Sequence, residues 1–114
     1  MAEDCLFCKI SRGDFKTEFL YQSPTLVAFR DIHPKAPTHV LFVPTAHYAT
    51  LNDVPSADDT IMTEITQAIQ KIAKAEGVDQ SGYRVITNIN RHGGQEVFHL
   101  HVHLLGGRQL GSMG

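Results

Sequence analysis

The sequence has no long hydrophobic run, no block of like charge and no scattered cysteines, and each absence excludes a class of protein. The apolar stretch Val40, Leu41, Phe42 and Val43 is strand-length, far too short to span a bilayer. With 10 Lys+Arg against 12 Asp+Glu, the formal net charge is -2. No basic run points to nucleic acid and no acidic tail to a disordered arm. The start, Met1-Ala2-Glu3-Asp4, lacks the basic and apolar regions of a signal peptide. A cytoplasmic location is therefore expected, with neither nucleic acid nor membrane as partner. There is no Walker-type lysine loop and no dinucleotide fingerprint. Without repeat, low-complexity segment or linker, the 114 residues, 42% hydrophobic, read as one domain, 1–114, around one modest core.

The two cysteines stand together as Cys5-x-x-Cys8. In a reducing compartment that spacing is metal-binding or redox-active more often than a structural disulfide. A thioredoxin-type motif follows a strand inside a βαβ pattern, and no strand can precede Cys5, which counts against redox chemistry. Two ordinary buried cysteines on one helix are the remaining alternative.

Periodicity and turn chemistry predict the elements. Residues 5–12 carry Leu6, Phe7 and Ile10 at helical spacing before Gly13. Residues 19–22 and 26–31 read as a hairpin about Ser23-Pro24, and "DIHPKAP" as a loop. Residues 39–44, "HVLFVP", are a buried strand by composition. "PSADDTIMTEITQAIQKIAKAEGV" is a long helix with an apolar stripe of Ile61, Ile65, Ala68, Ile69, Ile72 and Ala73. Ser56 is the expected N-cap, Asp59 completes a capping box, and Gly77 ends the helix. Residues 83–88 and 97–105 are strands around the glycine loop "INRHGGQ". Five strands with one long helical crossover argue for α+β with an antiparallel sheet.

The last strand contains "FHLHVHLL", residues 98–105. Period-two geometry sends Phe98, Leu100, Val102 and Leu104 toward the core and His99, His101 and His103 to the other face. A polar solvent face would need polarity but not histidine. Same-face neighbours lie about 6.6 Å apart and the outer pair about 13 Å, so one metal cannot easily take all three. At least one imidazole has another task, and near pH 7 that can be nucleophilic or proton-carrying. Gly93-Gly94-Gln95 just upstream can bring backbone amides close to an anion, which suggests a phosphate.

These residues resemble a known family. "HLHVHLL" is similar to the His-φ-His-φ-His-φ-φ signature of the histidine triad (HIT) family, φ being apolar. "AFRDIHPKAPTHVLFVP", "GYRVITN" and "NRHGGQEVFHLHVHLLGGR" extend the likeness to its bacterial Hint branch. The resemblance implies the HIT fold, a five-stranded antiparallel sheet with one long and one short helix, joined across a homodimer. It implies hydrolysis of purine nucleoside 5'-phosphoramidates or related nucleotidyl conjugates through a nucleotidyl-histidine. His101 matches the nucleophile, His103 the phosphate-contacting proton carrier, and His39 the histidine that faces the nucleophile. Asp31 matches a ribose contact, Phe7, Phe29 and Ile32 the base pocket, and Asn88, Gly94 and Gln95 phosphate contacts. Glu96 stands where many eukaryotic relatives carry serine, and is expected to point away from the anion. The family's C-terminal segment tunes substrate choice, so "GGRQLGSMG" makes substrate preference the least transferable property. The alternatives are a nucleotide-binding scaffold with little catalysis and a dinucleoside polyphosphate hydrolase.

Other branches of the superfamily pair a Cys-x-x-Cys with two histidines around a structural zinc. Carried over, the ligands are Cys5, Cys8, His47 and His99, a closed set that implies a structural ion and no catalytic metal. His33 and His92 are left as surface histidines.

Overall fold

The computed structural model describes residues 5–113; the acidic start, residues 1–4, lies outside them. A short helix α1 (Leu6–Ser11) is followed by strands β1 (Tyr21–Gln22), β2 (Leu26–Arg30) and β3 (Thr38–Pro44). The long helix α2 (Ile61–Ala75) then leads to β4 (Tyr83–Ile86) and β5 (Val102–Gly106). The sheet runs β1-β2-β3-β5-β4 with every neighbouring pair antiparallel, so β5 inserts between β3 and β4. This is the expected five-stranded antiparallel α+β architecture. Among the described residues no helix is long and apolar enough to cross a membrane.

β3 is buried along its whole length because both of its faces are covered. Val40 and Phe42 join Leu26, Ala28, Val102 and Leu104 against the apolar stripe of α2. Leu41 and Val43 face the other way, packing with Val27, Phe29 and Phe7 of α1. A strand covered twice has no polar face, which explains its unbroken apolar run.

The start of α2 departs from the sequence expectation. Ser56 is not the N-cap, and the Ser56/Asp59 capping box does not form. Residues 55–58 instead close a turn in which the Asp58 N–H donates to the Pro55 carbonyl, and the Asp58 carboxylate accepts from the Tyr48 hydroxyl. The helix starts after Thr60, which makes no side-chain cap bond. A cap is worth about 1 kcal/mol, whereas each isoleucine buried by α2 contributes about 1.5–3 kcal/mol, so packing decides where the helix forms. A capping box does exist at Thr50 and Asp53, on a single 3-10 turn. At the other end Gly77, at φ +75°, closes α2: its N–H reaches the Lys74 carbonyl and that of Val78 reaches Ala73.

β5 is also shorter than the predicted 97–105. Regular pairing with β3 begins at Phe42↔Val102, so residues 98–101 approach the sheet without joining its ladder. The strand alternation fails there. Phe98 is 49% exposed rather than in the core, while His99 is fully buried.

Candidate active site and metal centre

Two groups of histidines lie along β3, one around His99 beside Pro44 at its end and the other around His39 near its start. The first is built around His99. Its Nε2 lies 2.7 Å from the Pro44 carbonyl. A carbonyl only accepts, so Nε2 carries the proton and Nδ1 presents its lone pair. That Nδ1 faces Cys5 Sγ at 3.2 Å, Cys8 Sγ at 3.5 Å and His47 Nδ1 at 3.2 Å, and Cys8 Sγ is 3.3 Å from His47 Nδ1. Ligands on one tetrahedral ion stand about 3.3 Å apart for a nitrogen pair and about 3.5 Å for nitrogen and sulfur. The four donor atoms, all within 4.8 Å of one another, therefore have the spacing of one coordination sphere. Burial, with the Cys5 thiol beside it, pushes the Cys8 thiol up to about 11. A bound divalent cation reverses that penalty by deprotonating the thiols it ligates. The donor set fits a metal.

The second group includes His101. Its Nδ1 lies 2.7 Å from the His99 carbonyl and is therefore protonated, which leaves the Nε2 lone pair free. Burial lowers the pKa of His101, outweighing that hydrogen bond and the nearby Asp31. That shift favours the neutral ring, the form in which an imidazole can act as a nucleophile. Phe7 stands edge-on to it, with ring centroids 4.9 Å apart. The Thr87 hydroxyl donates to the His101 carbonyl at 2.9 Å.

His39 and His103 are diagonal neighbours across β3 and β5, where His39 pairs with Leu105 and Leu41 with His103, and His39 Nε2 lies 3.0 Å from His103 Nδ1. The Lys35 backbone N–H donates to His39 Nδ1 at 3.1 Å, so His39 holds its proton on Nε2 and gives it to His103. His103 consequently carries its own proton on Nε2. Asp31 Oδ2 lies 3.5 Å from His39 Nε2, while Oδ1 accepts the His33 N–H. Burial lowers the pKa of His39 and takes that of His103 down to about 4, helped by the neighbouring imidazoles. Asp31, His39 and His103 also lie within metal-ligand range of one another. Their hydrogen bonds oppose a metal, however, because the Nε2 that would ligate is the protonated nitrogen. The two clusters thus differ in tautomer, one set to coordinate and the other to move protons.

A cleft of about 550 Å³ opens over this second group. Phe7, Phe29, Ile10 and Leu41 make one apolar wall, with Asp31 and Ile32 at its edge and Ile32 85% exposed. Asn88 and Gly94 also line the cleft, as do His101 and His103. The Asn88 amide donates to the Gly93 carbonyl and holds the glycine turn, in which Gly94 has φ +81°. Gln95 does not line the cleft. It is buried, its amide donates to the Ala49 and Val97 carbonyls, and its oxygen accepts the Asn90 N–H. Its side chain shapes the turn and has no group left for an anion. Glu96, expected to point away, lines the cleft and also the neighbouring pocket beside Cys5 and His47.

Sequence reasoning missed several contributors. Lys35 enters through its backbone N–H, Pro44 through its carbonyl and Thr87 through a hydroxyl three residues beyond Arg84 on the strand edge. Backbone groups leave no mark in a sequence. Thr87, next to Asn88 in "YRVITN", had no distinguishing pattern. His33 lines the cleft, whereas His92 is an exposed residue of the 3-10 turn Arg91–Gly93.

Residues 12–110 match the HIT domain family. Over 113 residues, 99% of this chain and 95% of the relative, the sequence is 48% identical to the purine nucleoside phosphoramidase of Escherichia coli strain K12. The fold superposes on a histidine triad protein from Clostridium difficile with a TM-score of 0.92 and 45% identity, covering 97% of this chain and 96% of that one. A HIT family hydrolase from Legionella pneumophila gives a TM-score of 0.89 and 48% identity, covering 93% and 95%.

Proposed function

The chain belongs to the HIT-domain family, and from that premise we propose that it hydrolyses purine nucleoside 5'-phosphoramidates or related nucleotidyl conjugates through a nucleotidyl-histidine. The observation that carries this reading is the His101 tautomer. The His99 carbonyl holds the proton on Nδ1 and leaves a neutral, nucleophilic Nε2 in the cleft.

In the first step the Nε2 lone pair forms a bond to the α-phosphorus, and the bond from phosphorus to the leaving amine breaks. The departing nitrogen takes a proton, which His103 is placed to pass on from its Nε2–H. In the second step water attacks the same phosphorus, the bond to His101 breaks, and the proton of water restores the relay. The products are a free amine and a nucleoside monophosphate. Asn88 and the turn at Gly94 supply polar groups near the developing phosphate charge. Gln95 contributes the shape of that turn. Phe7, Phe29 and Ile32 flank the base, and Asp31 stands at the ribose. His39 orders the relay by fixing which nitrogen of His103 accepts.

The reading includes a structural zinc on Cys5, Cys8, His47 and His99 and no catalytic metal; bound there, zinc ties α1 to the segment before β5. It also includes a cytoplasmic homodimer whose sheets join. An open sheet edge at β4, with Tyr83 and Val85 exposed, supports such pairing. Adenosine 5'-phosphoramidate is the test substrate. We expect release of adenosine monophosphate, lost in His101→Ala, and an acid-quenched nucleotidyl-enzyme in the native protein. Equal rates for native and variant would show that His101 is not the nucleophile. Metal analysis should find zinc near one per chain, and sedimentation a dimer.

A further inference from the structure

We infer that the Cys5–Cys8–His47–His99 cluster positions the nucleophile, because the metal ligand His99 also supplies the carbonyl that sets the His101 tautomer. This rests on the proposed function and assigns the cluster a part in that same site.

Residues 98–101 lie outside the β3–β5 ladder, so regular sheet pairing does not hold the His99 peptide. One backbone bond does hold it: the Leu100 N–H, in the same peptide plane as the His99 carbonyl, donates to the Tyr48 carbonyl at 2.6 Å. The second restraint is the His99 ring. It is gripped at Nε2 by the Pro44 carbonyl and faces Cys5, Cys8 and His47 at Nδ1. A metal ion closes the second grip. From the same residue the carbonyl reaches His101 Nδ1 at 2.7 Å.

A second link runs through α1. Phe7 lies between the two cysteines in sequence and sets its ring edge-on to both His99 and His101, at 6.1 and 4.9 Å between centroids. Anchoring Cys5 and Cys8 therefore also presses Phe7 against the nucleophile. Free imidazole favours the proton on Nε2, the tautomer with no lone pair for attack at that atom. The bond to His99 selects the other one. Loosening the cluster lets His101 sample the unreactive tautomer while the fold persists.

His47 is the exposed ligand, on a loop outside both hydrophobic clusters. His47→Ala should weaken the metal without unfolding the protein. Zinc is then titrated into this variant at fixed pH, following ¹⁵N imidazole spectra, turnover of adenosine 5'-phosphoramidate and far-UV circular dichroism. The expected result is that the Nδ1–H signature of His101 and kcat rise together with zinc occupancy, kcat by about tenfold or more. A folded, metal-free variant that keeps one His101 tautomer and its full rate would overturn the proposal. A second measurement uses the native chain loaded with cadmium-113. Coupling is expected to Nδ1 of His99, and coupling to its Nε2 would equally overturn the proposal, since the Pro44 grip could not then exist. If the native protein fails to hydrolyse the phosphoramidate, the proposed function fails, and the tautomer spectra still decide the positioning role.

Discussion

Acid should destabilise this protein through His103. Burial, then the neighbouring imidazoles, takes its pKa from the ordinary 6.5 down to about 4. In the unfolded chain the ring regains its ordinary value, so between pH 6.5 and pH 4 the unfolded state binds more protons than the folded one. Stability is then fully present above pH 6.5 and is lost as pH falls through that window, the slope vanishing below pH 4. Between pH 7 and pH 5 linkage gives a loss of about 2 kcal/mol, reduced to about 1–2 kcal/mol because solvent reaches the half-buried ring. The assay is urea unfolding of the native protein and His103→Gln at both pH values. Burial lowers His39 and His101 in the same sense, so the variant keeps some acid sensitivity. The quantity sought is the difference between the two pH slopes, which isolates His103. Parallel slopes would refute the reasoning, because they would mean that burial leaves the ring's proton affinity unchanged.

Three further outcomes follow from the packing. Leu104→Ala removes a fully buried side chain between β5 and α2 and should cost about 2–5 kcal/mol in urea unfolding. Gly107→Ala puts a methyl group 2.9 Å from Pro37 Cβ at φ +95°; the rigid proline ring cannot yield, so thermal unfolding should show a loss of about 1–3 kcal/mol. Glu64 is pushed up by burial but held below its ordinary 4.5 by hydroxyls of Ser23, Thr25 and Tyr21. Its stabilising effect is present above pH 4.5 and lost as pH falls through the lower folded value, so Glu64→Gln should flatten that part of the acid-unfolding curve.

The elements were legible where local chemistry and packing agree. The α2 stripe, the Gly77 stop and the doubly apolar β3 all follow from residue order, because each buries the face its period presents. The start of α2 was not legible. Ser56 and Asp59 have capping chemistry, but Asp58 is recruited by Tyr48, ten residues earlier, and the helix begins where isoleucines reach the sheet. Phe98 misled for a related reason: alternation predicts its side only if the strand is regular, and regular pairing starts at Val102. Glu96 was expected to point away from the anion on grounds of charge; the residue lines the cleft, and being exposed its carboxylate keeps its water there at little cost.

Histidine spacing in "FHLHVHLL" by itself argued that one ion could not easily take all three imidazoles, since a regular strand puts the outer pair about 13 Å apart. The sequence likewise contains no long apolar run and no block of basic residues. Only the tertiary structure decided which nitrogen of each ring is free. That choice belongs to the carbonyls of Pro44 and His99 and the N–H of Lys35. Every residue carries such backbone groups, so no pattern of side chains can reveal which ones the fold will aim at a histidine. The difference between a ring whose Nδ1 lone pair faces two thiols and a ring whose Nε2 lone pair is left free is therefore a property of the packed structure and not of the motif alone.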